Sequence, residues 1–273
     1  MHGEGKMESK RESLPREFSK LELSYFELEA YWGATKHMGG LKATRELIEL
    51  CRIGKGKYVL DVGCGVGATS CYIAKRHGCR LVGVDILERM IDRANERAKK
   101  EGVENRVEFR VADAQNLPFE DALFDAVIGE SVITFIKHKQ RAVNEYVRVT
   151  KPGGYVGLNE EIWIKTPPLE LVEYSSRTWD IEAEILTSDG WEESLRNCGL
   201  KEIVARTYKF KASPSEYINE IRLYIRDLPG MLYRALALYI KSRAFRKYMK
   251  GRFTSLPKNF FEYLGYGIYV GRK

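Results

Sequence analysis

The chain of 273 residues contains no C-x-x-C pair. Its five cysteines, Cys51, Cys64, Cys71, Cys79 and Cys198, are odd in number and follow no framework spacing. That excludes a disulfide scaffold and predicts free thiols in a reducing compartment, mostly packed as small apolar residues. A zinc or iron–sulfur site lacks its spacing as well, so no metal is expected. Long apolar runs are missing, and the longest falls far short of the roughly 20 residues that cross a bilayer. Met1 to Arg16 is polar and charged and has no apolar signal core, which makes a frayed tail and a cytoplasmic protein the expectation. There is no internal repeat and no low-complexity tract. A chain of this length and ordinary composition buries one full core with a substantial elaboration.

Charge is present but uneven. Of the net +7, residues 213 to 273 hold 12 Lys/Arg against 4 Asp/Glu, while the remainder is close to neutral. The basicity belongs to the C-terminal part and points to an anionic surface or substrate there, or to a solvated basic face.

The stretch around which the rest is organised is Tyr58-Val59-Leu60-Asp61-Val62-Gly63-Cys64-Gly65-Val66-Gly67. An apolar, β-branched run stops at three glycines on a two-residue spacing, and a helical segment, Ala68 to His77, follows. This is a buried strand, a tight turn and a helix whose N-terminus faces the turn. Free N–H groups and the positive dipole end favour a negatively charged group there. Arg80-Leu81-Val82-Gly83-Val84-Asp85 reads as a second strand ending in an acid, and a carboxylate at that place suits a ribose diol.

The alternation continues as a parallel sheet requires. Strands are expected near Val107 to Val111, Phe124 to Gly129 and Tyr155 to Glu160, with helices at Leu87 to Glu101 and Lys139 to Val149. Trp163 to Leu186 reads as an irregular insertion containing Pro167-Pro168. Thr187-Ser188-Asp189 then caps a helix to Cys198, and Gly199 stops it. Strands follow at Val204 to Phe210 and Gly267 to Val270. Between them, one helix starts at Ser213 and ends near Leu228-Pro229-Gly230, and Met231 to Lys250 reads as another. Upstream, Phe18, Leu21, Tyr25, Phe26 and Leu28 recur at helical spacing, and a helix is expected at Leu41 to Cys51. By itself this gives a doubly wound sheet with a nucleoside-type crevice at the strand ends.

The glycine loop with Asp61, the acid Asp85, Ala112-Asp113-Ala114, Asn116-Leu117-Pro118-Phe119 before Phe124-Asp125-Ala126-Val127-Ile128, and Val147-Arg148-Val149-Thr150-Lys151-Pro152-Gly153-Gly154 occur in order. Together they resemble the class I S-adenosylmethionine (SAM) dependent methyltransferases, in particular the quinone, sterol and phosphobase group. The resemblance implies an α/β fold: a Rossmann-like, seven-stranded, mostly parallel sheet with helices on both faces, an N-terminal helical lid, and a helical insertion before the last strand. The implied division is tail and lid over 1–52, SAM-binding core over 53–212, basic helical insertion over 213–262 and last strand over 263–273.

The same resemblance implies SAM as cofactor, S-adenosylhomocysteine as product and no metal. It assigns Gly63, Cys64, Gly65 and Gly67 to the methionine portion and Asp61 to the loop or the methionine ammonium. Asp85 meets the ribose, Ile86 lies beside the adenine, Asp113 and Ala114 meet the adenine edge, and Glu130 faces the methionine end or the substrate. Tyr31-Trp32-Gly33 to Gly39-Gly40 resembles the lid of lipid and phosphobase methyltransferases. His37, the one histidine of that lid, is a candidate base because neutral imidazole suits the task, and Glu160 is a second candidate. Asn159 and Glu161 are candidates for holding substrate, and Tyr31 and Trp32 for walling a cation or an apolar chain.

Gly129-Glu130-Ser131-Val132 is not the Asp/Asn-Pro-Pro-aromatic motif of the amino-methylating nucleic-acid enzymes, and no Pro-Cys nucleophile occurs. The cysteines lie mostly in the core, unlike those of arsenite methyltransferases, and the N-terminal signature of quinone methyltransferases is unmatched. A small-molecule acceptor, lipid-like or anionic, is the reading. An RNA methyltransferase and a non-catalytic SAM-binding protein are the alternatives. The apolar and basic residues of Met231 to Lys250 can also rest on an anionic membrane.

Overall fold

The structure is a computed structural model that describes residues 25–179, 184–210, 222–243, 245–246, 249, 257 and 259–273. The expected tail, the helical positions Phe18 and Leu21, the helix start at Ser213 and the basic residue Lys247 lie outside the described residues. Seven strands form one sheet: β1 (Tyr58–Val62), β2 (Arg80–Asp85), β3 (Val107–Val111), β4 (Phe124–Glu130), β5 (Thr150–Trp163), β6 (Lys201–Lys209) and β7 (Leu264–Arg272). Their order is β3-β2-β1-β4-β5-β7-β6, parallel except for β7, which runs antiparallel to both β5 and β6.

Period-two alternation sorts the strand residues onto two faces. On one face Val59, Leu81, Ala126, Ile128, Ile268 and Val270 pack against α2 (Gly40–Leu50), α3 (Ala68–His77) and α4 (Glu88–Glu101). On the other, Leu60, Val82, Val127, Val156 and Leu158 pack against α5 (Lys139–Val149) and α7 (Ser188–Asn197), with Trp191 and Leu195 fully covered. The helices stop where their sequences say: Gly102 takes a left-handed conformation after α4, and the Thr187 hydroxyl accepts from Gly190 N–H at the start of α7.

Three expectations need correction. Trp163 to Leu186 is not wholly irregular, because α6 (Leu169–Trp179) begins directly after Pro167-Pro168, where a missing N–H does no harm. The helix expected from Met231 begins earlier: α8 (Leu228–Lys241) carries Pro229 in its first turn and ends at Ser242. Strand β5 does not end at Glu160. Its pairing with β4 finishes at Glu130–Asn159, but pairing with β7 continues through Trp163–Leu264. Residues 160–163 therefore project past the parallel part of the sheet. The remaining described α-helices with printed bounds are α1 (Tyr25–Trp32), which precedes the glycine-punctuated segment, and the single turn α9 (Phe260–Tyr263) leading into β7, and a 3-10 helix, Arg222–Asp227, runs directly into α8.

Helix α2 lies on β5 with almost no clearance. A Cβ on Gly157 would stand 2.8 Å from Leu47 Cδ1 and closer still to Cys51 Sγ. Gly157→Ala must push α2 off the sheet, and overpacking of this kind costs about 1–3 kcal/mol. A urea titration should show that loss, and a stability equal to the wild type would refute the close fit.

Candidate active site

At the carboxyl ends of β1 and β4 the chain reverses its order across the sheet, which is where α/β sheets open a crevice. Strand β1 delivers the glycine loop into it. Gly65 has φ +51°, and a Cβ there would lie 2.6 Å from the Thr35 hydroxyl of the segment following α1. Gly63 has φ +68°, and its Cβ would strike the methyl groups of Val132, just beyond β4. Backbone conformation and space both demand glycine at these positions. Asp85, ending β2, accepts from Gly65 N–H with one oxygen and from Leu87 N–H with the other, each at 3.0 Å. The carboxylate thus ties the loop to the start of α4, and burial pushes its pKa up. Beside it Ile86 is 66% exposed, an apolar side chain left uncovered at the crevice. After β3, Asp113 accepts from Gln115 N–H at 2.8 Å, and Ala114 is buried. Cys64 turns its thiol into the core against Gly83, so only its backbone belongs to the loop.

One face of the sheet carries a buried polar cluster at the same edge. Asp61, Glu130, Asn159 and Glu161 share it by strand parity, under α2, α3 and the segment around His37. Glu130 is the hub. It accepts from the Thr44 hydroxyl of α2 at 3.0 Å, from Thr69 of α3 at 3.0 Å and from Asn159 Nδ2 at 3.5 Å, and His37 Nε2 stands 3.5 Å from its Oε2. His37 Nε2 also lies 2.9 Å from the Thr44 hydroxyl. Thr44 has one proton, and a carboxylate only accepts, so the hydroxyl gives its proton to Glu130 and receives one from His37. This places an imidazole hydrogen on Nε2, so that in the neutral ring the lone pair is on Nδ1. Asp61 accepts from Ser70 at 2.5 Å. Burial pushes Asp61 up to about 7 against that hydrogen bond, and the Glu130 and Asp85 charges push the same way.

Glu160 faces the opposite side. Its carboxylate accepts from Val132 N–H (3.2 Å), Ile133 N–H (2.9 Å), Thr134 N–H (2.9 Å) and the Thr134 hydroxyl (2.8 Å). It caps the 3-10 turn Ile133–Phe135 with every acceptor site in use, and burial beside Glu161 raises its pKa to about 7. The turn begins at Ser131, whose φ of +53° is held by a 2.6 Å bond from its N–H to Asn159 O.

The segment over the glycine loop is fastened from the C-terminal part of the chain. Tyr224 donates to Thr35 O at 2.5 Å, and Arg234 Nε donates to Trp32 O at 2.9 Å. Arg97, on α4 and buried, donates to Val66 O in the glycine loop (3.0 Å) and to Leu223 O (3.1 Å), and pairs with Asp227 at 2.6 Å. Tyr31 packs with Leu28, Leu238 and Phe245, and Arg89 stacks 3.8 Å from its ring. Trp32 packs beside the same cluster. These two rings make the contact between α1 and α8, an apolar cluster with one guanidinium over Tyr31, away from Glu130 and His37.

Residues 60–158 match the family model for a methyltransferase domain. Phosphoethanolamine N-methyltransferase 1 of Arabidopsis thaliana is 33% identical over 176 residues, which is 63% of this chain and 35% of that protein. An uncharacterized protein of Haemophilus influenzae is 32% identical over 167 residues, 60% of this chain and 66% of its own length. The fold matches that of phosphoethanolamine N-methyltransferase 2 of Haemonchus contortus, solved with phosphomonomethylethanolamine and S-adenosylhomocysteine, with a TM-score of 0.69 at 21% identity. That alignment covers 91% of this chain and 57% of the other. The chain carries a class I SAM-dependent methyltransferase domain. It spans about a third to two thirds of the length of the curated relatives it matches.

The structure brings His37, Asn159 and Glu161 to Glu130, which lies inside the matched residues 60–158, and sets Glu160 apart on the other face. Thr44, Thr69, Arg97 and Tyr224 escaped the sequence reading. Thr44 and Thr69 sit on the inner faces of helices whose outer charges drew the eye, and parity alone could have separated Glu160 from its neighbours.

The cluster sets a pH dependence. Depressed acids such as Asp125 and Glu145 have finished titrating by about pH 5. Asp61 and Glu160 are raised to about 7 from ordinary values near 4. The folded state then holds more protons than the unfolded state between those values, so their contribution is full below about pH 4 and is lost as pH rises through 7. Urea midpoints of the ligand-free protein should fall from pH 5 to pH 8, and Asp61→Asn should flatten part of the slope. A midpoint that rises across that range would contradict the arrangement.

Proposed function

We propose that the protein transfers the methyl group of SAM in line to a small-molecule acceptor held beneath the His37 segment. The single observation carrying this is the joining of an intact glycine loop and ribose-type acid to a buried carboxylate–histidine cluster at one crevice. The residues fit SAM. Asp85 uses one lone pair of each oxygen on Gly65 and Leu87 and keeps others for two ribose hydroxyls. Ile86 offers an uncovered apolar contact for the adenine, and Asp113 retains an oxygen for its amino group. Gly63, Gly65 and Gly67 leave the backbone open to the methionine portion. Asp61 and Glu130 supply negative charge for its ammonium.

SAM supplies an electrophilic methyl on a sulfonium. The protein's work is to hold the nucleophile aligned and shielded, an effect that reaches several kcal/mol. His37 acts through the lone pair left on Nδ1, with its tautomer set by Thr44 and Glu130. Glu160, fully engaged by the 3-10 turn, is a positioning residue for Ser131 to Thr134 and takes no proton in this reading. Neither alternative is favoured: Gly129-Glu130-Ser131-Val132 and the lack of a Pro-Cys pair count against an RNA methyltransferase, and the intact glycine loop and Asp85 against a non-catalytic protein. Labelled methyl from SAM should pass into a small-molecule extract, and His37→Ala should lower turnover by about 10²–10⁴ while SAM affinity stays near wild type. Full turnover in that variant would remove His37 from the chemistry.

The lipid-like reading of the acceptor rests on α8. Met231 and Leu238 are buried against the lid, while Leu232, Tyr233, Leu236, Tyr239 and Ile240 on the opposite side are all more than half exposed. A helix apolar on both sides needs a second apolar surface. Exposed Lys241 and Arg243 at its end give that surface a positive rim, which matches an anionic bilayer. Arg246 donates to Tyr239 O and Ile240 O and so closes the helix. The variant to compare therefore combines Leu236→Ser, Ile240→Ser, Lys241→Gln and Arg243→Gln. It should lose sedimentation with phosphatidylserine-containing vesicles at low salt, and unchanged binding would reject the membrane contact.

A further inference from the structure

The amino ends of the parallel strands carry another cavity, on the rim of the sheet opposite the catalytic crevice. Asp125 and Glu130 lie near the two ends of β4, about 16 Å apart at the rise of a strand. The cavity holds about 350 Å³ between the end of α2 and the starts of β4 and β5, and Arg52, Lys57, Asp125, Lys151, Tyr155 and Arg272 line it. That volume suits a small ligand.

The lining holds more positive charge than its acids neutralise. Asp125 Oδ1 meets Lys151 Nζ at 3.1 Å and Lys57 Nζ at 4.0 Å, while Oδ2 accepts from Tyr58 N–H at 2.8 Å. One carboxylate thus serves two ammoniums. Arg272 has its own acid, Glu202, at 3.1 Å. Arg52 has no carboxylate partner among the described residues, and its guanidinium lies 5.5 Å from the centre of the Tyr155 ring. Four cations therefore face two carboxylates. The helix ends do not change this balance. The N–H groups of Cys51, Arg52 and Ile53 take up carbonyls at the end of α2, and Lys273 Nζ donates to Val147 O, Arg148 O and Thr150 O at the end of α5.

Arg52 is also held in an unfavourable backbone conformation, with φ +50°. Its N–H bonds Glu49 O, and Ile53 N–H bonds Ile48 O, so it occupies the left-handed position after α2 where glycine is the usual residue. Any residue with a Cβ is strained there. Strain of this kind gathers where a side chain is used.

We propose that this cavity binds a phosphate monoester, its dianion seated among Arg52, Lys57 and Lys151 and its organic part over buried Cys51 and Ala126. A guanidinium gives two parallel N–H bonds to a phosphate, and the ammoniums add point charges beside it. A carboxylate ligand would neutralise one of the two surplus charges, whereas a phosphate monoester neutralises both. The cations converge on one cavity and form no stripe, which fits a small ligand and not a nucleic-acid backbone.

The test titrates the isotope-labelled full chain with glycerol phosphate and follows its amide signals by NMR, with glycerol and sodium chloride as controls. Signals of Arg52, Gly153, Gly154 and Tyr155 are expected to move saturably, while those of Gly65 and Glu130 stay in place. Arg52→Gly is expected to weaken binding at least fivefold and, by releasing the strained φ, to raise the urea midpoint. Lys57→Gln is expected to weaken binding at least threefold. Sedimentation with phosphatidic acid vesicles separates the sources of the phosphate: a fall in Arg52→Gly identifies a lipid headgroup, and sedimentation equal to wild type identifies a soluble ester. Shifts that never saturate, or that sodium chloride reproduces at equal ionic strength, would overturn the proposal and leave a solvated basic face. Shifts confined to the glycine loop, or unchanged affinity in either variant, would overturn it as well.

Discussion

Carboxylates of like charge, buried within one another's reach, are the constraint on which the site depends. Asp61, Glu130 and Glu161 occupy one face of the sheet where the parallel strands end, and water is largely excluded from them. Charges there are costly unless they are paired or hydrogen-bonded. Threonine and serine hydroxyls from α2 and α3 supply part of that compensation, which explains why Thr44, Thr69 and Ser70 are buried polar residues on otherwise apolar helix faces. His37 supplies more, but only while its segment lies over the strand ends. The position of the lid and the electrostatics of the cluster are therefore one problem, not two.

The lid is held from the other side by residues far away in the chain. Arg97 bonds the glycine loop through Val66 O and the C-terminal part through Leu223 O and Asp227, while Tyr224 stacks on the same guanidinium 5.2 Å away and holds Thr35. Thr35 in turn fills the space that a side chain at position 65 would occupy. A fork of planar donors suits this joining of three segments better than a lysine would, since its five N–H groups are spread over a rigid plane and reach acceptors that one ammonium nitrogen would have to approach all together. Movement of the C-terminal helices must then be felt at the glycine loop, a contiguous physical connection of about two side chains.

The central fold was legible because its signals are local. Strand alternation, the three glycines and the acid ending β2 are read within a few residues, and β1 to β4 lie within one residue of where they are expected. The missed features are long-range. The last residues of β5 are strand only because β7, a hundred residues later, pairs with them, and no local pattern marks that. Arg97 looks like one more charge on an amphipathic helix, and Tyr224 like one aromatic of an insertion, until packing brings them to the same place. Glu160 was misread for a different reason. It follows Asn159 in the sequence, but Leu158 and Ile162 show by parity that it enters the apolar face, where a carboxylate survives only by capping the 3-10 turn.

That opposite placement of adjacent acids has a consequence for the site as a whole. Glu160 with all its acceptors filled makes the Ser131–Thr134 turn rigid, and the turn carries the Val132 methyls that define the floor under Gly63 and the Thr134 hydroxyl that Glu160 accepts from. One carboxylate thus fixes the frame in which Oε2 of its neighbour Glu161 is left buried without a donor among the described residues. An unfilled buried acceptor is tolerable only when the surrounding backbone cannot relax to cover it, because a mobile turn would swing an N–H towards Glu161 Oε2. The strained φ of Ser131, pinned by Asn159 O, blocks that relaxation. Rigidity on one face of β5 is the physical condition for an open valence on the other.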